Sequence, residues 1–170
     1  QRDIDEDSVL ALQFTALCEA QSNPVMGFFA VADGIGGHAA GEVASRAAVR
    51  ALARELLGKV FVLAASEEAL SPETLETHLV EAIHSANKAI LTIHEQRQLD
   101  MGCTLTAALV LDSKAVIANV GDSRTYHMRG GKLTQITRDH SLVAKLVAAG
   151  QLKPEEVYAH DQRSAIYRSL

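Results

Sequence analysis

The residues best suited to chemistry begin with Asp33-Gly34-Ile35-Gly36-Gly37-His38, a carboxylate that follows an apolar run and opens a glycine loop. Such a carboxylate can offer its two oxygens, and the neighbouring backbone a carbonyl, to one cation, and hard divalent metals bind through oxygen. Glycine removes the side chain that would block close approach and tolerates unusual backbone angles. A plainer reading has Asp33 capping the next helix and the glycines turning the chain. A third is dinucleotide binding, since Gly34, Gly36 and Ala39 satisfy a G-x-G-x-x-A pattern. Against it, Asp33 would face a pyrophosphate with like charge. The acid about 20 positions on, Glu55, falls inside a predicted helix instead of at a strand end.

Two other segments carry acids at suggestive positions. Arg2-Asp3-Ile4-Asp5-Glu6-Asp7-Ser8 sets one guanidinium beside four carboxylates. An acidic run of this kind is either solvated surface or part of a cation site. Gly121-Asp122-Ser123-Arg124 places a further acid in a turn between apolar runs, where an Asx turn is the plain alternative. No single segment decides among these readings.

The elements that must position these acids follow from periodicity. Residues 9–14 and 26–32 read as two buried strands, the second running directly into Asp33. Strong helix formers from Ala39 to Leu57 predict a helix stopped by Gly58. Ser71 as N-cap and Pro72 at the first helical position open a second helix to about Arg97, its apolar face marked by Leu75, Leu79, Ile83, Ala86, Ile90 and Ile93. Residues 103–111, 115–120, 124–128 and 132–136 then predict an antiparallel meander, with Gly130-Gly131 as a tight hairpin turn. Short helices are expected over 141–149 and 155–160. Strands, two long helices, a block of strands and short helices make an α+β chain, without regular βαβ alternation. The 170 residues, 48% of them apolar, suit one domain over 1–170.

Composition narrows the partners. A net charge of −5 argues against a nucleic-acid backbone and suits cations. Two distant cysteines, Cys18 and Cys103, suggest neither a disulfide framework nor a zinc knot, and a reducing cytoplasm is expected. No apolar run reaches the roughly 20 residues of a membrane span, and the start is unlike a signal peptide. The absence of an initial Met and of a polar tail suggests a piece of something longer.

Taken in order, R-x-x-D-E-D-S, D-G-I-G-G-H-A-A-G-E-V-A-S, M-G-C-T-L, V-G-D-S-R and I-T-R-D-H-S resemble the metal-dependent protein phosphatase family, also called protein phosphatase 2C-like. The likeness covers nearly all of residues 2–170 and is nearer the bacterial branch, because Ile35 stands where animal relatives carry histidine. It implies a four-layer α-β-β-α sandwich of two mainly antiparallel sheets, incomplete at the C-terminal side. It also implies hydrolysis of phosphoserine and phosphothreonine in proteins by a metal-activated water. The implied cofactors are two Mn²⁺ or Mg²⁺ ions with a possible third. By the same resemblance Asp33 bridges two ions, the Gly34 carbonyl ligates one, and Glu6 and Asp7 order metal-bound waters. Asp122 binds a third ion and Arg2 grips the substrate phosphate. Partners would be a phosphorylated protein and a serine/threonine kinase counterpart.

The chain departs from the family pattern in places. Cys103 replaces a usual Thr as a small buried residue, Asp5 replaces Asn, and His38 is expected to support the loop. Two further aspartate motifs of complete members do not occur here, so isolated activity is expected to be weak or absent, and a catalytically silent binding fragment is the alternative. Sheet edges left unpaired would favour self-association.

Overall fold

The computed structural model describes residues 5–15, 25–36, 39–64 and 71–170. Strands β1 (Asp7–Thr15) and β2 (Val25–Gly36) pair antiparallel, and β2 also pairs with β3 (Met101–Cys103) and β4 (Leu105–Leu111), which is followed by β5 (Lys114–Val120). The sheet order is β1-β2-β4-β5, with β3 on the end of β2. Every described pairing is antiparallel. That removes the dinucleotide-binding reading, which needs parallel strands joined by a crossover helix.

Alternation along β2 sorts its two faces. Met26, Phe28, Ala30 and Ala32 are buried, whereas Phe29, Val31 and Asp33 are exposed. Against the buried face lies α1 (Ala39–Ala64), and α2 (Pro72–Arg97) packs on α1 and against β3 and β5 of the same sheet. Helix α1 presents Ala40, Ala44, Ala48, Leu52, Leu56 and Val60, one residue every four, and α2 answers with Leu75, Leu79, Ala82, Ala86 and Ile90. Alanines at the front of α1 bring its backbone close to the sheet. The helices run antiparallel, joined across their outer seam by Lys59–Glu81 at 2.9 Å and by the Ser85 hydroxyl on Glu55.

Helix α1 does not stop at Gly58 but continues to Ala64. A glycine in a helix costs about 1 kcal/mol, whereas burying Leu56 and Val60 contributes about 1.5–3 kcal/mol each, so packing wins. The expected cap on α2 is present, with the Ser71 hydroxyl accepting from the Thr74 N–H at 3.2 Å. The stretch expected as one strand over 103–111 is broken at Thr104. There the Thr104 side-chain oxygen accepts the Asp33 N–H at 3.3 Å, while the Thr104 N–H donates to the Asp33 carbonyl at 2.8 Å.

The second sheet is a ribbon of β6 (Tyr126–Arg129) and β7 (Lys132–Gln135), turned by Gly130 and Gly131 at φ 56° and 76° as a two-glycine hairpin requires. Helix α3 (Leu142–Ala148) is capped by Ser141, and the second expected short helix lies at Pro154–Ala159, where it is of the 3-10 kind. The chain then returns, with Tyr167 N–H donating to the His140 carbonyl and Leu170 exchanging two backbone hydrogen bonds with Cys103. On the sheet face away from the helices, Val9, Phe29 and Val31 are 68%, 45% and 39% exposed. No helix among the described residues is long and apolar enough to cross a membrane.

Candidate functional site

Two of the sequence-predicted acids face each other, and the backbone of a third adjoins them, because β1 and β2 share a register. Asp7 lies directly opposite Asp33, and the Glu6 carbonyl accepts the Gly34 N–H at 3.1 Å. Directly opposed residues of an antiparallel pair project from the same face. Asp7 and Asp33 therefore stand together on the face turned away from α1 and α2, where both are exposed. Asp33 lies well inside β2, six residues before α1 begins, so it caps no helix.

Glu6 alternates to the other side. Its carboxyl carbon and the Gly34 carbonyl oxygen both lie just over 3 Å from the point where a Cβ on Gly41 would sit, at 3.3 and 3.2 Å. A Cβ on Gly34 would fall 2.3 Å from the Gly41 carbonyl oxygen and 2.6 Å from that of Glu6. The two glycines thus let three backbones close on one another and bring strand-end oxygens to the first turn of α1. This is the reason for glycine at 34 that the sequence shows but cannot justify. Arg2 and His38 lie outside the described residues.

Asp122 is linked to this corner through its neighbours in the chain. It sits on the turn after β5, half-buried, and the turn is pressed onto Thr104. Gly121 has φ +102°, and a Cβ there would meet Thr104 Cγ2 at 2.6 Å. The Thr104 and Ser123 hydroxyls are 2.6 Å apart. Thr104 therefore touches Asp33 on one side and the residue after Asp122 on the other.

Segment 137–141 locks that turn from behind. Arg124 donates through Nε and Nη2 to the Asp139 carboxylate at 2.6–3.0 Å, Gln135 adds a donor at 3.1 Å, and Asp139 is buried. His140 closes a two-bond ring with Gly121, its N–H donating to the Gly121 carbonyl at 2.9 Å while Nδ1 accepts the Gly121 N–H at 3.1 Å. The motifs V-G-D-S-R and I-T-R-D-H-S carried this lock in their sequence. The pairing of Arg124 with Asp139 was not legible, because no local pattern links residues 15 positions apart across a hairpin.

Partial burial, then the charges of Arg168 and Arg138, push the His140 pKa below its usual value, against the opposing pull of Asp139, and the Tyr167 ring lies tilted beside it. An Nδ1 that accepts a hydrogen bond must be neutral. Because the folded state disfavours the proton, this contribution to stability is complete above the ordinary histidine range. It is lost as pH falls from there through the folded value. Urea unfolding at pH 5.5 and 7.5 is expected to show a smaller stability difference in His140→Asn than in the parent; equal differences would remove His140 as the source.

Cys103 is fully buried, and burial together with the nearby Asp33 pushes its thiol up to about 12. It stays protonated and inert, as expected of a small packing residue. A cleft of about 250 Å³ opens beside Asp122, walled by Arg124, Asp139, Val143, Tyr158 and Arg163. A larger one of about 510 Å³ lies at the β4–β5 hairpin, the opposite end of the sheet, away from these acids.

As a cation site the corner fits in kind, with carboxylates and a backbone carbonyl held by glycine close contacts. In number it falls short: among the described residues no three His, Cys, Asp or Glu side chains cluster closely enough to enclose a metal ion.

Comparison with known proteins bears on the same segments. Residues 12–149 match the family model described as Protein phosphatase 2C. Over 143 residues the chain is 41% identical to the serine/threonine phosphatase stp of Listeria monocytogenes, covering 82% of this chain and 54% of that one. The chain thus spans about half the length of that curated relative. The solved structure of the S. agalactiae serine/threonine phosphatase superposes with a TM-score of 0.75 at 31% identity, covering 99% of this chain and 64% of the other. The catalytic domain of the serine/threonine phosphatase PstP, solved in complex with two manganese ions, superposes with a TM-score of 0.67 at 33% identity, over 96% and 66% of the two chains. Glycine-packed strand ends, an acid turn seated on Thr104 and matches over most of the chain agree, and they make this chain a member of the protein phosphatase 2C family.

Proposed function

We propose that this chain contributes the greater part of the phosphate-handling corner of a metal-dependent protein serine/threonine phosphatase. The observation that carries the reading is the Asp7–Asp33 pair, two carboxylates side by side on an exposed sheet face where the β1–β2 register puts them. Two carboxylates on one face offer the oxygen ligands that a hard divalent cation takes. Asp33, Asp7, Glu6, the Gly34 carbonyl and Asp122 would hold Mn²⁺ or Mg²⁺, two ions with a third at Asp122. When bound, such ions supply a water nucleophile at neutral pH and neutralise the charge of a transferring phosphoryl group. The chain's own contribution is to orient: the β1–β2 ladder fixes Asp7 against Asp33, and the Arg124–Asp139 lock holds the Asp122 turn. Arg2, with its planar fork, suits a phosphate dianion.

Phosphoserine and phosphothreonine proteins are the proposed substrates, with a serine/threonine kinase as the opposing activity and the cytoplasm as the compartment. The complete gene product is expected to hydrolyse a phosphothreonine peptide and p-nitrophenyl phosphate with Mn²⁺ and to stop with EDTA. Metal-independent turnover, or none at all, would sink the proposal. The 170 residues alone, short of carboxylates, are expected to hold metal weakly and turn over slowly. Their exposed Val9, Phe29 and Val31, with β1 and β5 at the sheet edges among the described residues, support concentration-dependent self-association in sedimentation velocity, which a monomer at all concentrations would contradict.

A further inference from the structure

We infer that Thr104 and Ser123 form a positioning bridge that sets the place of Asp122 relative to Asp33, and thereby the affinity of the site for its cations. The inference rests on the metal-site reading above and adds two residues to it. Thr104 is 2% exposed and belongs to no strand, standing between β3 and β4. Its oxygen accepts the Asp33 N–H at 3.3 Å, its N–H holds the Asp33 carbonyl at 2.8 Å, and its oxygen lies 2.6 Å from Ser123 Oγ. A single buried side chain thus bonds both to the backbone of one proposed ligand and to the residue next to another.

Two features argue that the hydroxyls serve position and not merely packing. Buried hydroxyls are costly unless bonded, so an apolar pair of similar volume would hold the two segments together as well. The pair also has an internal control, because the same contact recurs two residues on, where Thr106 Oγ1 lies 2.6 Å from Thr125 Oγ1. Both rungs fasten the stretch from Thr104 to Thr106 to the chain after the acid turn, and both first members are buried. Of these two rungs, only Thr104–Ser123 also engages Asp33 among the described residues. A hydroxyl with a structural role alone would make the rungs equivalent.

The test is Mn²⁺ titration calorimetry on the complete gene product, with urea unfolding of each variant alongside. Thr104→Val keeps the shape and removes the bridging oxygen. It is expected to weaken Mn²⁺ binding about 10- to 100-fold, the range typical for groups that orient metal ligands. Thr104→Ser is expected to restore binding, and Thr106→Val, which carries the same structural burden one rung away, to bind like the parent. Coincident isotherms for Thr104→Val and the parent overturn the bridge. Equal weakening in Thr104→Val and Thr106→Val does so too, by making the ladder purely structural. A parent that binds no Mn²⁺ removes the metal reading and the bridge together, which distinguishes that failure from the first two.

Discussion

Replacing Asp33 by Ala in the complete gene product is expected to reduce Mn²⁺-dependent hydrolysis of both a phosphopeptide and p-nitrophenyl phosphate by more than about 100-fold. The estimate starts from residues that merely orient metal ligands, whose loss costs about 10- to 100-fold, and a residue proposed to contact two ions exceeds that. The two substrates are expected to fall together, because the defect lies in the reacting centre and not in peptide recognition. Folding is expected to be kept, since Asp33 is exposed and its backbone, not its side chain, bonds to Thr104. Calorimetry distinguishes the cause: Asp33→Ala loses Mn²⁺ binding at an unchanged urea midpoint. Turnover within a few-fold of the parent, on a folded protein, would falsify Asp33 as a ligand.

The second large effect is on stability. Gly34→Ala puts a methyl group 2.3 and 2.4 Å from the carbonyl atoms of Gly41 and 2.6 Å from the Glu6 carbonyl, all backbone, with no flexible side-chain tip to yield. Overpacking costs about 1–3 kcal/mol, and collision with the backbones of two segments at once belongs at the upper end. At this chain length that is a fall of roughly 6–12 °C in Tm. Gly58→Ala is the counterpart. Its added methyl meets nothing within 4 Å on an exposed turn of α1, so it is expected to stabilise by up to about 1 kcal/mol. Thermal unfolding of the two variants beside the parent reads both, and shifts of the same sign would contradict the packing argument.

Gly34 and Gly58 also mark what local sequence can and cannot convey. In the sequence Gly58 reads as a stop and Gly34 as part of a loop; in the structure Gly58 lies inside a helix and Gly34 inside a strand. Local propensity is worth about 1 kcal/mol per residue, and burial of the flanking apolar side chains overrides it. The long α2, its serine cap and the Gly130-Gly131 hairpin were legible because cap, period and turn chemistry are short-range and agreed with one another. The short helix at Pro154–Ala159 was legible as a helix but not as a 3-10 one, since the same proline opens either kind.

The same division runs through the site. Which residues carry charge, which glycines flank them and the order of the motifs are properties of the chain read in one dimension, and they were sufficient to indicate an α+β protein of the phosphatase 2C family and to nominate the acids proposed above as its metal ligands. Tertiary structure alone decided that Asp7 faces Asp33, that Glu6 turns to the other side toward α1, and that Arg124 is spent on Asp139. It also decided that Thr104 joins two acid segments. The reason is register: one residue of slip in an antiparallel pair moves every side chain to the opposite face. Contacts between residues 15 to 71 positions apart depend on the packing of whole elements, to which no local pattern refers.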